Sequence, residues 1–534
     1  MKKLSLLFSL VPIVFANAQN LDSLYNQFLR YKGLSPSNEQ QNVSIQSEPI
    51  KCGFGIVNQV KLNYDRFTVQ QKKVVGSLLQ RPPSDTSFVT PKGWFRIHFN
   101  KSGYNAPLYN LGELAKAADS AYTYEVNVLG FPPPPKDSGE GGDDRYDIYI
   151  QNLTSNSYGS TELEKLISDI TYISYMVIDN DFGDGVHSHG IDGARVTLAH
   201  EFHHAIQIGN YGYFENDTFY HEVTSTSMEE FVFPDVDDYV YEVATYFRNP
   251  QKSFSSRSID DGYSRAIWNL FLRKQFGVDI IKRIWELMPH ERALDAMSVA
   301  ILEKGSSFKT EFNFFGMWTY FTGVRTDPSK NYFEDAAKFP LINPMVLTNS
   351  MTVNSEPVSN NFFQYNDFTS TKKDSVITLV TNCDVQGATS SPNIILPFIY
   401  ALSTQQINGG KKIAEGFYSK LESSKMPLLS ESNVLTGSMS VEVIDYAYPQ
   451  PFRYSEHSQL FIPVDGIKGE TVQLSIFSVD MNLVYSSPKR VLADQLISWD
   501  VLDQTGKKLN TGVYLYVTQS GDSIKKGKFV VYND

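Results

Sequence analysis

Ala194-Arg195-Val196-Thr197-Leu198-Ala199-His200-Glu201-Phe202-His203-His204-Ala205-Ile206-Gln207-Ile208 contains neither glycine nor proline and is closed by Gly209 and Asn210, which predicts a helix. His200 and His204 stand four positions apart, so on that helix their imidazoles share a face about one turn from each other and both can reach a single ion. Glu201 is adjacent but offset, which leaves its carboxylate free to hold a water beside that ion. In a His-Glu-x-x-His helix of this kind two neutral imidazoles bind Zn²⁺ and the glutamate acts as general base. His203 lies one residue too early to share the geometry and is expected to pack or to face solvent.

The neighbouring sequence supplies a frame and a third donor. Strand-like runs at 146–150 and 173–178 precede a Gly/Asp/His-rich loop over 179–193, so the helix follows a strand and the motif is expected beside a sheet edge. An earlier alternation of Phe95, Ile97 and Phe99 marks the start of an ordered domain, and helical spacing over 111–129 ends at the proline run 132–135. A catalytic zinc takes three protein ligands and keeps one position open for water. Gln207 and Asn210 occupy the places where a longer motif would have glycine and histidine, so the third ligand must come from elsewhere. Glu222, eighteen positions after His204, supplies a carboxylate from a following helix, with His221 as a competing donor. Glu229, two turns further on, is placed to orient a ligand histidine from behind. Asp179, Asp181 and Asp184 fail the order of a calcium loop, because Gly183 falls at the fifth position, so calcium is unsupported and a solvated turn is expected.

Three segments together, 196–207, 222–230 and Asp261-Gly262-Tyr263 with the aromatic helix after it, resemble secreted bacterial zinc metallopeptidases of the gluzincin type. Among these the likeness is greatest to a little-characterised group of extracellular peptidases first noted in myxobacteria. It spans roughly Trp94 to Gly323, with Val223 departing from the glycine that many gluzincins carry. The resemblance implies a zincin-like α+β domain and one catalytic zinc on His200, His204 and Glu222. It implies Glu201 as general base and Tyr263 as oxyanion donor, acting on a protein or peptide substrate cleaved internally. Two other readings stay open: a zinc aminopeptidase, which needs an acidic subsite for the free amine, and a non-catalytic surface adhesion or binding protein that retains the fold. An exposed strand edge near 175–177 is expected to pair with extended substrate.

At 534 residues, with 41% hydrophobic and 20% charged residues, the chain can bury several cores. A net charge of -12 disfavours binding to nucleic acid or anionic lipid. Lys2 and Lys3, an apolar run from Leu4 to Phe15 and then Ala16-Asn17-Ala18 read as a signal peptide over 1–18, hence a secreted or cell-surface protein. No apolar run is long enough for a membrane span. The polar text of 19–90 reads as a propeptide or loosely packed lead-in, followed by a zincin-like domain over 91–338, a β-rich domain over 339–446 and an immunoglobulin-like β-sandwich over 447–534. That last module resembles the C-terminal domains of exported proteins of the Bacteroidetes-like group, which implies a type IX sorting signal and secretion machinery as a partner. Only two cysteines occur, Cys52 and Cys383. Pro49-Ile50-Lys51-Cys52-Gly53 resembles the propeptide cysteine switch of some zinc peptidases; a Cys52–Cys383 disulfide and an idle thiol are the alternatives.

Overall fold

The computed structural model describes residues 12–34, 51–153, 157–256, 259–326, 332–346, 350–351, 356–367, 374–383, 385, 398–406, 411–420, 429–430, 446–447, 449–455, 457–466, 469–491, 496–521 and 523–533. The chain is mixed α and β, in two compact units, Met1–Tyr241 and Glu242–Asp534. Most of the expected signal peptide, residues 1–11, lies outside the described residues. No helix among the described residues is long and apolar enough to cross a membrane.

In the first unit five strands form one sheet: β1 Thr86–Val89, the alternating β2 Phe95–Phe99, β3 Tyr146–Gln151, the more polar β4 Gly159–Leu166 and β5 Tyr172–Asp179. Their order is β1-β2-β3-β5-β4, with β2, β3 and β5 parallel and β1 and β4 antiparallel to their neighbours. The expected edge at 175–177 is corrected here. Tyr175 to Val177 belong to β5, which has β3 on one side and β4 on the other, so β4 is the edge. β5 is buried on both faces, which explains why 173–178 is hydrophobic but for Ser174.

Helices flank the sheet: α1 Pro12–Tyr31, α2 Phe54–Leu62, α3 Val69–Leu78, α4 Leu111–Tyr122, α5 Gly190–Asn210 and α6 Thr218–Val232. Asn110 caps α4 by accepting from the Gly112 and Glu113 amides. α5, 21 residues long, packs on β4 and β5 and against α4 and α6. The loop that launches it is pinned by Asp179, whose buried carboxylate accepts from the Leu153 and Phe182 amides, both at 2.7 Å. Asp179 is thus a buried loop anchor and not part of a solvated turn. Helix and edge strand meet closely at Gly159, where a Cβ would fall 2.9 Å from both Thr197 Cγ2 and the Val177 carbonyl oxygen.

The lead-in is only partly as expected. Residues 35–50 lie outside the described residues, but 51–62 are well packed: Cys52, Phe54, Ile56, Val57 and Val60 are buried. Composition understated this order because the polar residues among them, Lys51 and Asn58, are buried in specific bonds to the sheet and to α6.

In the second unit four helices, Ile267–Phe276, Asp279–Leu287, Ala293–Glu303 and Phe308–Tyr320, share one body with β-strands. The boundary expected at 338/339 falls inside this unit. Its Phe308–Tyr320 helix packs on the strands Asp374–Asn382 and Phe398–Gln406, with Asn313 Nδ2 donating to Thr381 Oγ1 at 2.9 Å. The C-terminal region is β-rich. A five-stranded and a two-stranded sheet there share a core containing Leu460, Ile462, Leu474, Trp499, Tyr516 and Phe529.

Candidate metal centre

α5 and α6 lie side by side, and the helical period brings His200 and His204 of α5 against Glu222, Ser225 and Glu229 of α6, a face of spacing i, i+3, i+7. His200 Nε2 lies 3.1 Å from His204 Nε2, and Glu222 Oε2 is 3.2 Å from the first and 3.4 Å from the second. All three residues are buried.

The outer nitrogens fix the tautomers. His200 Nδ1 donates to Glu229 Oε1 at 2.8 Å. The Phe214 amide donates to His221 Nε2, so His221 carries its proton on Nδ1 and gives it to Gln207 Oε1 at 2.8 Å. His204 Nδ1 donates to the same oxygen at 2.9 Å, while Gln207 Nε2 donates to the His221 carbonyl and to Ser225 Oγ. With both Nδ1 atoms acting as donors, two bare Nε2 lone pairs and a carboxylate oxygen face one point, an arrangement that could hold a cation. Ligand atoms about 2.0–2.1 Å from a tetrahedral Zn²⁺ stand about 3.3 Å apart, so these separations fit that ion. Without a metal the demand falls on a proton. Burial pulls the His200 pKa down, but Glu222 and Glu229 outweigh it and push it up to about 10. Burial likewise raises Glu222, yet His204 and His200 hold it down at about 2.

The structure thus brings together His200, His204, Glu222 and, behind them, Glu229, as the sequence predicts. His221 is a supporting residue and not a ligand, and burial holds its imidazole down at about 3. His203 is packed: it is buried, 2.9 Å from Glu125 Oε2, with Phe131 edge-on to its ring. Glu201 is buried beside the cluster. Thr161 Oγ1 on β4 donates to the Glu201 carbonyl at 2.7 Å and lies 2.8 Å from its Oε2, while Oε1 has no hydrogen-bond partner. Tyr263 belongs to the second unit, where it is buried in the short helix Ile259–Ser264.

Sequence reasoning missed two supports. Gln207, noticed only as an absent glycine, holds His204. Lys51, 5% exposed, sends its ammonium to Glu229 Oε2 at 2.8 Å and to Asp238, so a buried cation neutralises the carboxylate that orients His200. The fourth donor comes from the lead-in. Cys52 joins His200, His204 and Glu222 in a set whose ligand atoms all lie within 4.8 Å of one another. Burial, with the Glu201 and Glu222 carboxylates, pushes its thiol pKa up, so only a cation at the centre would make it a thiolate. Neither Cys52 nor Cys383 is in a disulfide, so the expected alternative of a bridge between them does not hold.

Residues 102–297, less than half of the chain, match a protein family described as of unknown function, DUF6055. No curated protein matches the chain. Among solved structures, PorZ of Porphyromonas gingivalis, titled a surface component of the type-IX secretion system, is 14% identical over 30% of this chain and 29% of its own, with a TM-score of 0.14. Dimeric latent PorU of the same organism is 14% identical over 35% of this chain and 20% of its own, also at 0.14. The neural ectodermal development factor IMP-L2 is 11% identical over 36% of this chain and 89% of its own, at 0.11. The chain thus spans less than a third of the length of the two Porphyromonas structures.

Proposed function

We propose that the chain is an exported zinc-dependent endopeptidase with a zincin-like first unit. The reading is carried by the convergence of two bare imidazole nitrogens and the Glu222 carboxylate on one point, with the carboxylate of Glu201 buried alongside. His200, His204 and Glu222 would hold the metal, and Glu229 and Gln207 keep the two imidazoles in the ligand tautomer. Zinc bound there would acidify water and polarise a peptide carbonyl. Glu201, fixed by Thr161 at one oxygen and open at the other, accepts the proton of the attacking water and returns it to the leaving amine. β4, the edge of the sheet, would offer its outward backbone groups to an extended substrate once the lead-in that bonds to them is displaced.

Cleavage of a denatured protein mixture by the zinc-loaded chain, intact and after limited proteolysis of its lead-in, tests the reading. Glu201→Gln should lower the rate by about 100- to 10,000-fold while zinc content stays the same. Cleavage at an unchanged rate would reject the mechanism. Export is tested separately by N-terminal sequencing of the secreted chain, expected to begin at Gln19.

A further inference from the structure

The edge of β4 is already occupied. The Tyr158 amide donates to the Lys51 carbonyl at 2.8 Å and the Gly53 amide to the Gly159 carbonyl at 2.9 Å, forming a parallel bridge centred on Cys52 and Gly159. Further along, Asn58 acts as a strand partner through its side chain, its Nδ2 donating to the Thr161 carbonyl at 2.9 Å and its Oδ1 accepting from the Leu163 amide at 2.8 Å. The outward backbone groups that an extended peptide would use are therefore taken by residues 51–58. This segment is anchored at both ends. Lys51 is tied to Glu229 and Asp238, while Phe54 lies flat on His204 with ring centroids 3.9 Å apart and planes 2° from parallel.

Cys52 is the residue of this strip that reaches the metal ligands, and it is 1% exposed. A zinc on two histidines and a glutamate has one position left, the one catalysis needs, and a thiolate is a strong ligand for it. Resting on the peptidase reading, we propose that the chain is made latent by its own lead-in: Cys52 is a fourth, displaceable zinc ligand, and residues 51–58 fill the substrate groove along β4. Activation breaks the metal–sulfur bond, the thiolate takes up a proton from solvent and a water enters in its place. The matched family region begins at 102, so this strip lies outside it.

The test uses the full zinc-loaded chain with two readouts. X-ray absorption at the zinc edge should show one sulfur at about 2.3 Å in the unaltered chain and none in Cys52→Ala. Cys52→Ala should also cleave a denatured protein mixture at least tenfold faster than the unaltered chain. Gly53→Ala keeps every ligand but sets a Cβ 2.2 Å from the Tyr31 ring, and it should raise activity as well, which guards against misfolding of the cysteine variant. A first shell without sulfur overturns the proposal. So does equal activity of all three chains; if Glu201→Gln abolishes that activity, the peptidase reading survives alone. Sulfur at the metal with no cleavage by any zinc-loaded variant overturns both, leaving Cys52 as a permanent ligand of a closed structural site.

Discussion

Gln207 accepts hydrogen bonds from His204 and His221 through one oxygen and donates two through its nitrogen, so with Ser225 Oγ, 3.1 Å from the same His204 Nδ1, it decides which nitrogen of His204 is bare. Replacing it with leucine should cost about 10- to 100-fold in zinc affinity, measured by competition with a chromogenic chelator, with Glu201 untouched. Glu229→Gln should weaken zinc similarly and should also loosen Lys51, which shares that carboxylate. The convergence of His200, His204 and Glu222 was legible in the sequence. A four-residue spacing on a helix leaves little freedom, and the glutamate two turns along α6 follows the same period. Gln207 and Lys51 were not legible. Their roles depend on which side chain ends up behind which histidine, and neither residue type is distinctive for that task.

At the scale of elements, β4 is clasped to the lead-in by Glu162, whose buried carboxylate meets Lys32 at 3.3 Å and Lys61 at 3.1 Å and accepts from the Tyr175 hydroxyl at 2.9 Å. Burial raises its pKa, but the two ammonium groups and Tyr175 outweigh that and hold it down at about 2. Burial outweighs Glu162 and leaves Lys61 below its ordinary value; the carboxylate, held by two ammonium groups and the Tyr175 hydroxyl, is the more firmly charged partner. Because the folded pKa lies below the unfolded value of about 4.3, the clasp is at full strength above that pH and is lost as pH falls toward 2. The protection factors of α2 amides, referred to the intrinsic exchange rate at each pH, should therefore fall between about pH 4 and pH 2, and Glu162→Gln should remove that fall and destabilise docking by about 3 kcal/mol. The strand order behind this clasp was out of reach of sequence reading. β4 reads as polar text, with Ser160, Thr161, Glu162, Glu164 and Lys165 among its eight residues, so nothing in the sequence marks it as the strand that flanks β5. The order of 51–62 was hidden for a related reason, since Asn58 and Lys51 read as surface residues until their partners, more than a hundred positions away, are known.

Taken as a whole, the molecule has two units and places every proposed metal ligand in the first. Thermal unfolding should show two transitions, of which one falls on adding a chelator and the other stays put. Free zinc at about 1,000 times its dissociation constant should stabilise the responsive unit by about 4 kcal/mol. A chelator that shifted both transitions equally, or neither, would contradict this assignment. Composition foretold the β-rich C-terminal region from its short alternating segments. It misjudged the boundary at 338, because the packing of the Phe308–Tyr320 helix on later strands is a tertiary fact. Gly159 joins the levels. Its bare α-carbon lets Thr197 and the Glu201 helix approach the edge, and its carbonyl receives Gly53 and the Tyr31 hydroxyl. A methyl group there should cost about 1–3 kcal/mol. Two unrelated demands meet on one backbone position, so drift at that codon has nowhere to go: any replacement that loosened the restraint would at the same time blunt the tool it restrains.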